Sequence, residues 1–194
     1  MSRHILIVQG HPDPQPGHFC HALAEAYDAG AVEAGHAVAR VPVAALDFPL
    51  LRTKAAWATG APPPDIAAAQ DAIRRADHLV FLYPLWLGGM PALLKGFLEQ
   101  VARPGFAVEP NEHGLPRGLL GGKSARIVVT MGMPAAIYRW YFRAHALRSL
   151  ERNVLGLSGI RPVRATLVGG VDAMNDVARR TWLRKLRALG HKAQ

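Results

Sequence analysis

The stretch YPLWLGGMPALLKGFLEQV, residues 83–101, permits few folds. An apolar run from His78 to Tyr83 stops at Pro84, and a short turn rich in glycine follows. Helical spacing then opens at Pro91, with Leu93, Leu94, Phe97, Leu98 and Val101 recurring. Proline suits the first helical position, where its missing N–H would have no partner. The order is strand, turn, helix, with residues 85–90 at the carboxyl end of a buried strand, where open α/β sheets bind ligands. Trp86, beside Gly88 and Gly89, has two readings: a flat surface for an aromatic ligand, or a cap on the core.

The same order recurs along the chain. Arg3 to Gly10, RHILIVQG, reads as a parallel strand buried on both faces. The loop HPDPQPGH forbids helix until about Gly17. Phe19, Leu23, Ala26, Tyr27 and Val32 then mark a helix that stops near Gly35. Ala37 to Pro42 is a second strand, residues 44–59 an excursion with a turn of helix, and APPP at 61–64 a hinge before a helix from Asp65 to Ala76. Residues 103–123 are the least structured by composition. Ser124 to Thr130 is a further strand, followed by a turn at Met131 to Pro134 and an aromatic helix from Ile137 to Leu150. A strand at Val163 to Val168 and a basic helix from Asp172 to Leu189 close the pattern. Five strands alternating with five helices predict one α/β domain over residues 1–194: a three-layer sandwich around a five-stranded parallel sheet, order 2-1-3-4-5.

Charge and cysteine content narrow the classes. The net charge of +9 is uneven, with 8 basic and 11 acidic side chains in residues 1–116 against 15 and 3 in residues 117–194. The basic part has its aromatics clustered at 138–142 rather than distributed for base stacking, which argues against nucleic acid and for a solvated face or a phosphate partner. One cysteine, Cys20, excludes an intrachain disulfide; no apolar run approaches the ~20 residues that span a bilayer, and Ile5 to Val8 is too short for a signal peptide. A cytoplasmic protein is expected.

The loops after the first, third and fourth strands converge on one crevice. The first precedes a helix N-terminus, whose free N–H groups suit a phosphate, with Gly17 allowing close approach and His18 or His21 adding donors. GxGxxG, GxxxxGK[ST] and GxSxG are all absent. His11, Asp13, His18 and His21 also admit a metal reading, although HExxH and a cysteine pair are missing. Cys20 is either a nucleophile or buried packing. A crevice with a phosphate end, an apolar end and few ionisable groups fits a cofactor that carries the chemistry itself.

The motifs ILIVQGHPDP at 5–14, ADHLVFLYPLWLGGMPALLKGFLEQV at 76–101, GFAV at 105–108, and VVTMG at 128–132 with Tyr138 resemble the NAD(P)H:quinone oxidoreductase branch of the flavodoxin-like flavoproteins, which includes ancillary reductases of potassium-efflux systems. The resemblance spans most of residues 4–150. It implies bound FMN or FAD, NAD(P)H as co-substrate, a small-molecule electron acceptor, a homodimer with the active site at the interface, and for some members a membrane-transporter partner. Carried onto this chain, it implies that His11, Gly17, His18, Phe19 and Cys20 hold the flavin phosphate. Pro84, Leu85, Trp86 and Leu87 would lie along the ring, and Thr130, Met131, Gly132 and Met133 along its pyrimidine side. Tyr138, with His145, would stabilise charge on the reduced ring. The chain departs from the family pattern at Gly17-His18, where Ser or Thr is usual, at Trp86-Leu87, and in the spacing of Tyr138 to His145.

Overall fold

The computed structural model describes residues 2–111, 114 and 116–194. Five strands, β1 (His4–Gln9), β2 (Ala37–Pro42), β3 (His78–Pro84), β6 (Ser124–Thr130) and β7 (Val163–Val168), form one parallel sheet in the order β2-β1-β3-β6-β7. β4 (Val108–Glu109) and β5 (Arg117–Gly118) make a separate antiparallel pair within the stretch that composition left unstructured. The apolar runs become central strands because both their faces are covered. Leu6 and Val8 of β1 enter one core with α3 (Pro64–Arg75) and α4 (Ala92–Val101), while Ile5 and Ile7 enter a second with α1 (Phe19–Glu33) and α6 (Asp176–His191). Among the described residues, no helix is long and apolar enough to cross a membrane.

On the second face the helices touch through their backbones. A Cβ on Gly30 of α1 would collide with the Arg187 carbonyl, and one on Gly190 of α6 with the Tyr27 carbonyl. On the first face, the excursion is fastened by a buried arginine: Arg103 donates from Nη1 to the Ala56 and Gly60 carbonyls (2.8 and 2.6 Å) and from Nε to Gln100 O (3.0 Å). This ties the short α2 (Lys54–Ala58) to the end of α4.

Three expectations change. Val32 is exposed rather than part of the α1 stripe. The last helix begins at Asp176, because Asn175 caps it by accepting the Ala178 N–H (2.9 Å) and Val171–Ala173 is a separate 3-10 turn. The aromatic segment is not one helix. A wide π turn at Ile137–Tyr141 ends at Arg143 and Ala144, both left-handed (φ 54° and 46°), before α5 (His145–Ser149) and a second π turn at Leu150–Gly156. A continuous helix would carry Tyr138 and Phe142 on one stripe. The break buries Tyr138 and leaves Trp140, Tyr141 and Phe142 exposed.

Candidate functional site

The loops after β1, β3 and β6 leave neighbouring strand ends and are tied to one another. Gly10 N–H donates to Leu82 O and Leu85 N–H to Thr130 O, each at 2.7 Å. Gly10 has no room for a side chain, since a Cβ would meet Leu94 of α4. Pro84 and Thr130 are the last residues of β3 and β6, so their loops start level with each other.

The first loop is organised by Asp13. Its carboxylate contacts His18 Nε2 (2.9 Å) and accepts the Gln15 N–H (2.9 Å), its carbonyl accepts from His21 Nε2 (3.1 Å), and its own N–H donates to His11 Nδ1 (3.1 Å). The His11 and His18 rings stack at 4.0 Å. Burial, and then the neighbouring His18, hold the His11 pKa below the ordinary histidine value, so it is neutral at pH 7. The metal reading of these histidines gains no support: no group of three His, Cys, Asp or Glu able to hold an ion occurs among the described residues. Gly17 takes a left-handed φ of 104° with open space around it, and His18 precedes α1 without capping it through its side chain. His21 N–H turns back to His18 O (3.0 Å), so the Phe19 and Cys20 N–H groups are left for an external acceptor. Cys20 is buried with its Sγ 3.6 Å from Gln9 Oε1, and burial pushes the thiol up to about 12, which favours packing over nucleophilic work.

The second loop is a tight hairpin. Trp86 and Gly89 exchange both N–H···O bonds at 2.9 Å, and Leu87 and Gly88 have φ of 47° and 78°, the signature of a type I′ turn. Trp86 is 52% exposed and its ring stands edge-on to His11, centroids 6.4 Å apart, between the first two loops. Leu87 is fully exposed at the apex. A left-handed leucine costs roughly 1–2 kcal/mol, whereas asparagine tolerates that conformation. Leu87→Asn is therefore expected to raise the thermal midpoint by roughly 2–8 °C; a midpoint that stays put or falls would refute the strain.

The third loop is braced from behind. Thr130 and Met131 are buried, and Met131 N–H donates to Val168 O (2.9 Å). Gly170 N–H reaches Met133 O (3.0 Å) and Val171 N–H reaches Met131 O (3.2 Å). A Cβ on Gly132 would run into the Asp172 carboxylate, and one on Gly169 into the Ala135 N–H. Residues 169–173, after β7, thus fix the path of residues 131–135.

Tyr138 and His145 are not brought together on one surface. Tyr138 is 1% exposed within the core and its hydroxyl has no hydrogen-bond partner, although the Leu147 main chain is close by. His145 is exposed at the start of α5, next to Ala146, whose Cβ would lie 3.9 Å from a Cβ placed on Gly89 of the hairpin. Two residues not singled out by sequence also join the site. Asp172 packs under Gly132, and the Arg179 guanidinium sits 5.1 Å over the Phe19 ring at the start of α1, donating from Nη2 to Val171 O (2.9 Å) and from Nε to Met174 O (3.2 Å). No local pattern marks them, because Asp172 reaches the crevice through the turn that follows β7 and Arg179 through the packing of α6 beside α1.

A cavity of about 280 Å³ beside the first loop is lined by His11, Pro14, His21, Glu25 and Arg40. A bigger one of about 640 Å³ runs along β7 and meets the third loop only at Ala135 and Ala136. The donors at the first loop are the N-terminal N–H groups of α1, His18, His21 and Arg179. Asp13 already holds His18 Nε2 and His21 Nε2, so the main-chain N–H groups and the Arg179 guanidinium are the donors that suit a phosphate.

A family model described as flavodoxin-like fold matches residues 3–189. The chain belongs to this flavodoxin-like family. It is 34% identical over 122 residues to an uncharacterized NAD(P)H oxidoreductase of Haemophilus influenzae, covering 62% of this chain and 60% of that protein. It is 33% identical over 117 residues to FMN-dependent NADH:quinone oxidoreductase 1 of Jannaschia, covering 60% and 59%. The matches thus span about 60% of the length of these two relatives. The solved NAD(P)H:quinone oxidoreductase of Methanothermobacter marburgensis shares 26% identity over the whole of both chains, with a TM-score of 0.81. Family membership accounts for the five-stranded parallel sheet.

Proposed function

We propose that the chain is an FMN-dependent NAD(P)H oxidoreductase that passes two electrons to a quinone or a similar flat electrophile. The observation that carries this reading is the crevice itself: a phosphate-binding set at one end, an aromatic and main-chain surface at the other, and Cys20 and His11 both poorly suited to act alone. Relatives named as FMN-dependent favour FMN over FAD. The chemistry FMN supplies when bound is hydride acceptance at N5 from NAD(P)H and release of two electrons to the acceptor in a second half-reaction. Main-chain N–H groups of Gly17 to Cys20, with His18 and Arg179, hold the phosphate. Pro84, Leu85, Trp86 and Leu87 flank the ring and exclude water, and Thr130 to Met133 line its pyrimidine side. Protein as purified is expected to be yellow and to lose its visible flavin absorbance on anaerobic addition of NAD(P)H, regaining it with a quinone. A colourless protein that takes up no FMN would overturn the reading.

Tyr138 and His145 remain the proposed groups that stabilise charge on the reduced ring. A buried hydroxyl without a partner is a donor that lacks an acceptor, at a cost of about 1–3 kcal/mol. Tyr138→Phe is accordingly expected to leave folding stability unchanged or higher while slowing turnover about tenfold. Unchanged turnover would reduce Tyr138 to packing.

A second copy of the chain is the proposed cover for the exposed Ile137, Trp140, Tyr141 and Phe142, four large apolar side chains within six residues. Sedimentation should give twice the 21.0 kDa chain mass, and Trp140→Asp should shift it toward the monomer.

A further inference from the structure

At the amino ends of the strands, away from the crevice, a cavity of about 570 Å³ is lined by Arg3, Asp77, His78, Ser124, Arg161, Arg164 and Lys192, among others. Arg3, Arg161, Arg164 and Lys192 enter no ion pair among the described residues. The one acidic side chain in the lining, Asp77, already accepts the His4 N–H at 2.8 Å. Four cations against one carboxylate leave the hollow with a net positive charge, and a multiply charged anion offsets that excess.

His78 is the second observation. It is 2% exposed, its Nδ1 lies 2.8 Å from Ser124 Oγ, and its Nε2 has no partner. With the Ser124 hydroxyl donating to Nδ1, the Nε2 proton is a buried donor without an acceptor. The groups facing it are the Tyr27 ring, stacked at 6.5 Å, the Ser124 main chain, and Arg3, Arg126 and Arg164. Arg126 is occupied, donating to Thr166 Oγ1 (2.7 Å) and Gln194 O (2.5 Å). Burial and these arginines lower the His78 pKa to about 4, so the ring is neutral at pH 7.

We propose that this cavity binds the phosphoryl group of a phosphorylated small molecule, held by Arg3, Arg161, Arg164 and Lys192 with the His78 Nε2–H as a further donor. A phosphoryl group carries about two charges and three acceptor oxygens, enough to meet several guanidinium forks, whereas a carboxylate offers one charge and two oxygens. The remaining volume, with Pro162 and Ala125 in its wall, suits an organic part. His78 and Ser124 open β3 and β6 while Pro84 and Thr130 close them, a separation of roughly 20 Å, so the ligand does not compete for the crevice and the inference stands apart from the proposed activity.

The test follows the His78 imidazole by NMR in protein as purified, at constant ionic strength, with inorganic phosphate, AMP and adenosine as probes. His78→Gln assigns the resonance. Saturable shifts with phosphate and AMP, none with adenosine, are expected. Arg161→Gln/Arg164→Gln, both at exposed positions, should weaken the response about tenfold or more while leaving flavin absorbance and turnover unchanged. Saturation by AMP at lower concentration than phosphate assigns a role to the organic part, and equal saturation shows that the phosphoryl group alone is held. A resonance that drifts without saturating, or that titrates identically in the double variant, would overturn the site.

Discussion

Gly30→Ala is expected to cost about 2–3 kcal/mol of folding stability and to lower the thermal midpoint by roughly 4–12 °C. An alanine inside a helix ordinarily gains about 0.5–1 kcal/mol over glycine. Here the added methyl meets the Arg187 carbonyl, a backbone atom of α6 that cannot rotate aside, so one helix must shift off the other. The matched control is Gly96→Ala in α4. There the methyl meets the end of the Leu50 side chain, which is exposed and free to move, and the expected change is close to zero. Thermal or urea unfolding of the two variants decides the matter. Equal midpoints would mean that α1 and α6 do not touch through their backbones.

FMN should bind about 100-fold more tightly than riboflavin, since the two differ only in the phosphate and two charge-assisted hydrogen bonds of about 1.5 kcal/mol each give that ratio. Arg179→Gln should narrow the gap about tenfold by weakening FMN alone, and salt should narrow it further. Fluorescence titration of apoprotein with both ligands gives the ratio directly. Equal affinities would remove the phosphate from the first loop. A fall in both affinities on Arg179→Gln would show that this arginine acts only by holding Val171 and Met174 in place.

The strands were legible because burial on both faces leaves continuous apolar runs, as in Ile5 to Val8 and Ile127 to Val129. Pro91 marked the start of α4 for a local reason too, a ring that fits only where an N–H is not needed. The convergence of the three loops followed from strand alternation, since a parallel sheet puts every such turn at one end. Features set by packing left no such trace. Arg103 is a charged residue in a region of mixed composition, and only the fold shows that its donors go to the carbonyls of Ala56, Gly60 and Gln100. The left-handed Arg143 and Ala144 are ordinary helix formers, so spacing alone extends the helix through them. The resemblance named Tyr138, but its burial depends on that break. Asp172 and Arg179 join the site from more than 30 residues beyond the third loop, through contacts that no motif encodes.

The segment behind the third loop sets the order in which the crevice comes into being. The turns after β1 and β3 can take shape once those strands pair, but residues 131–135 have nothing to rest on until 169–173 have arrived and β7 has joined the sheet. During synthesis from the amino end, the third-loop side of the crevice is therefore the last wall to be raised, and Arg179 reaches Phe19 only after that. A nascent chain stopped short of β7 holds every residue of the first two loops yet forms only an open-sided trough, so the crevice has its full set of walls only in the finished chain.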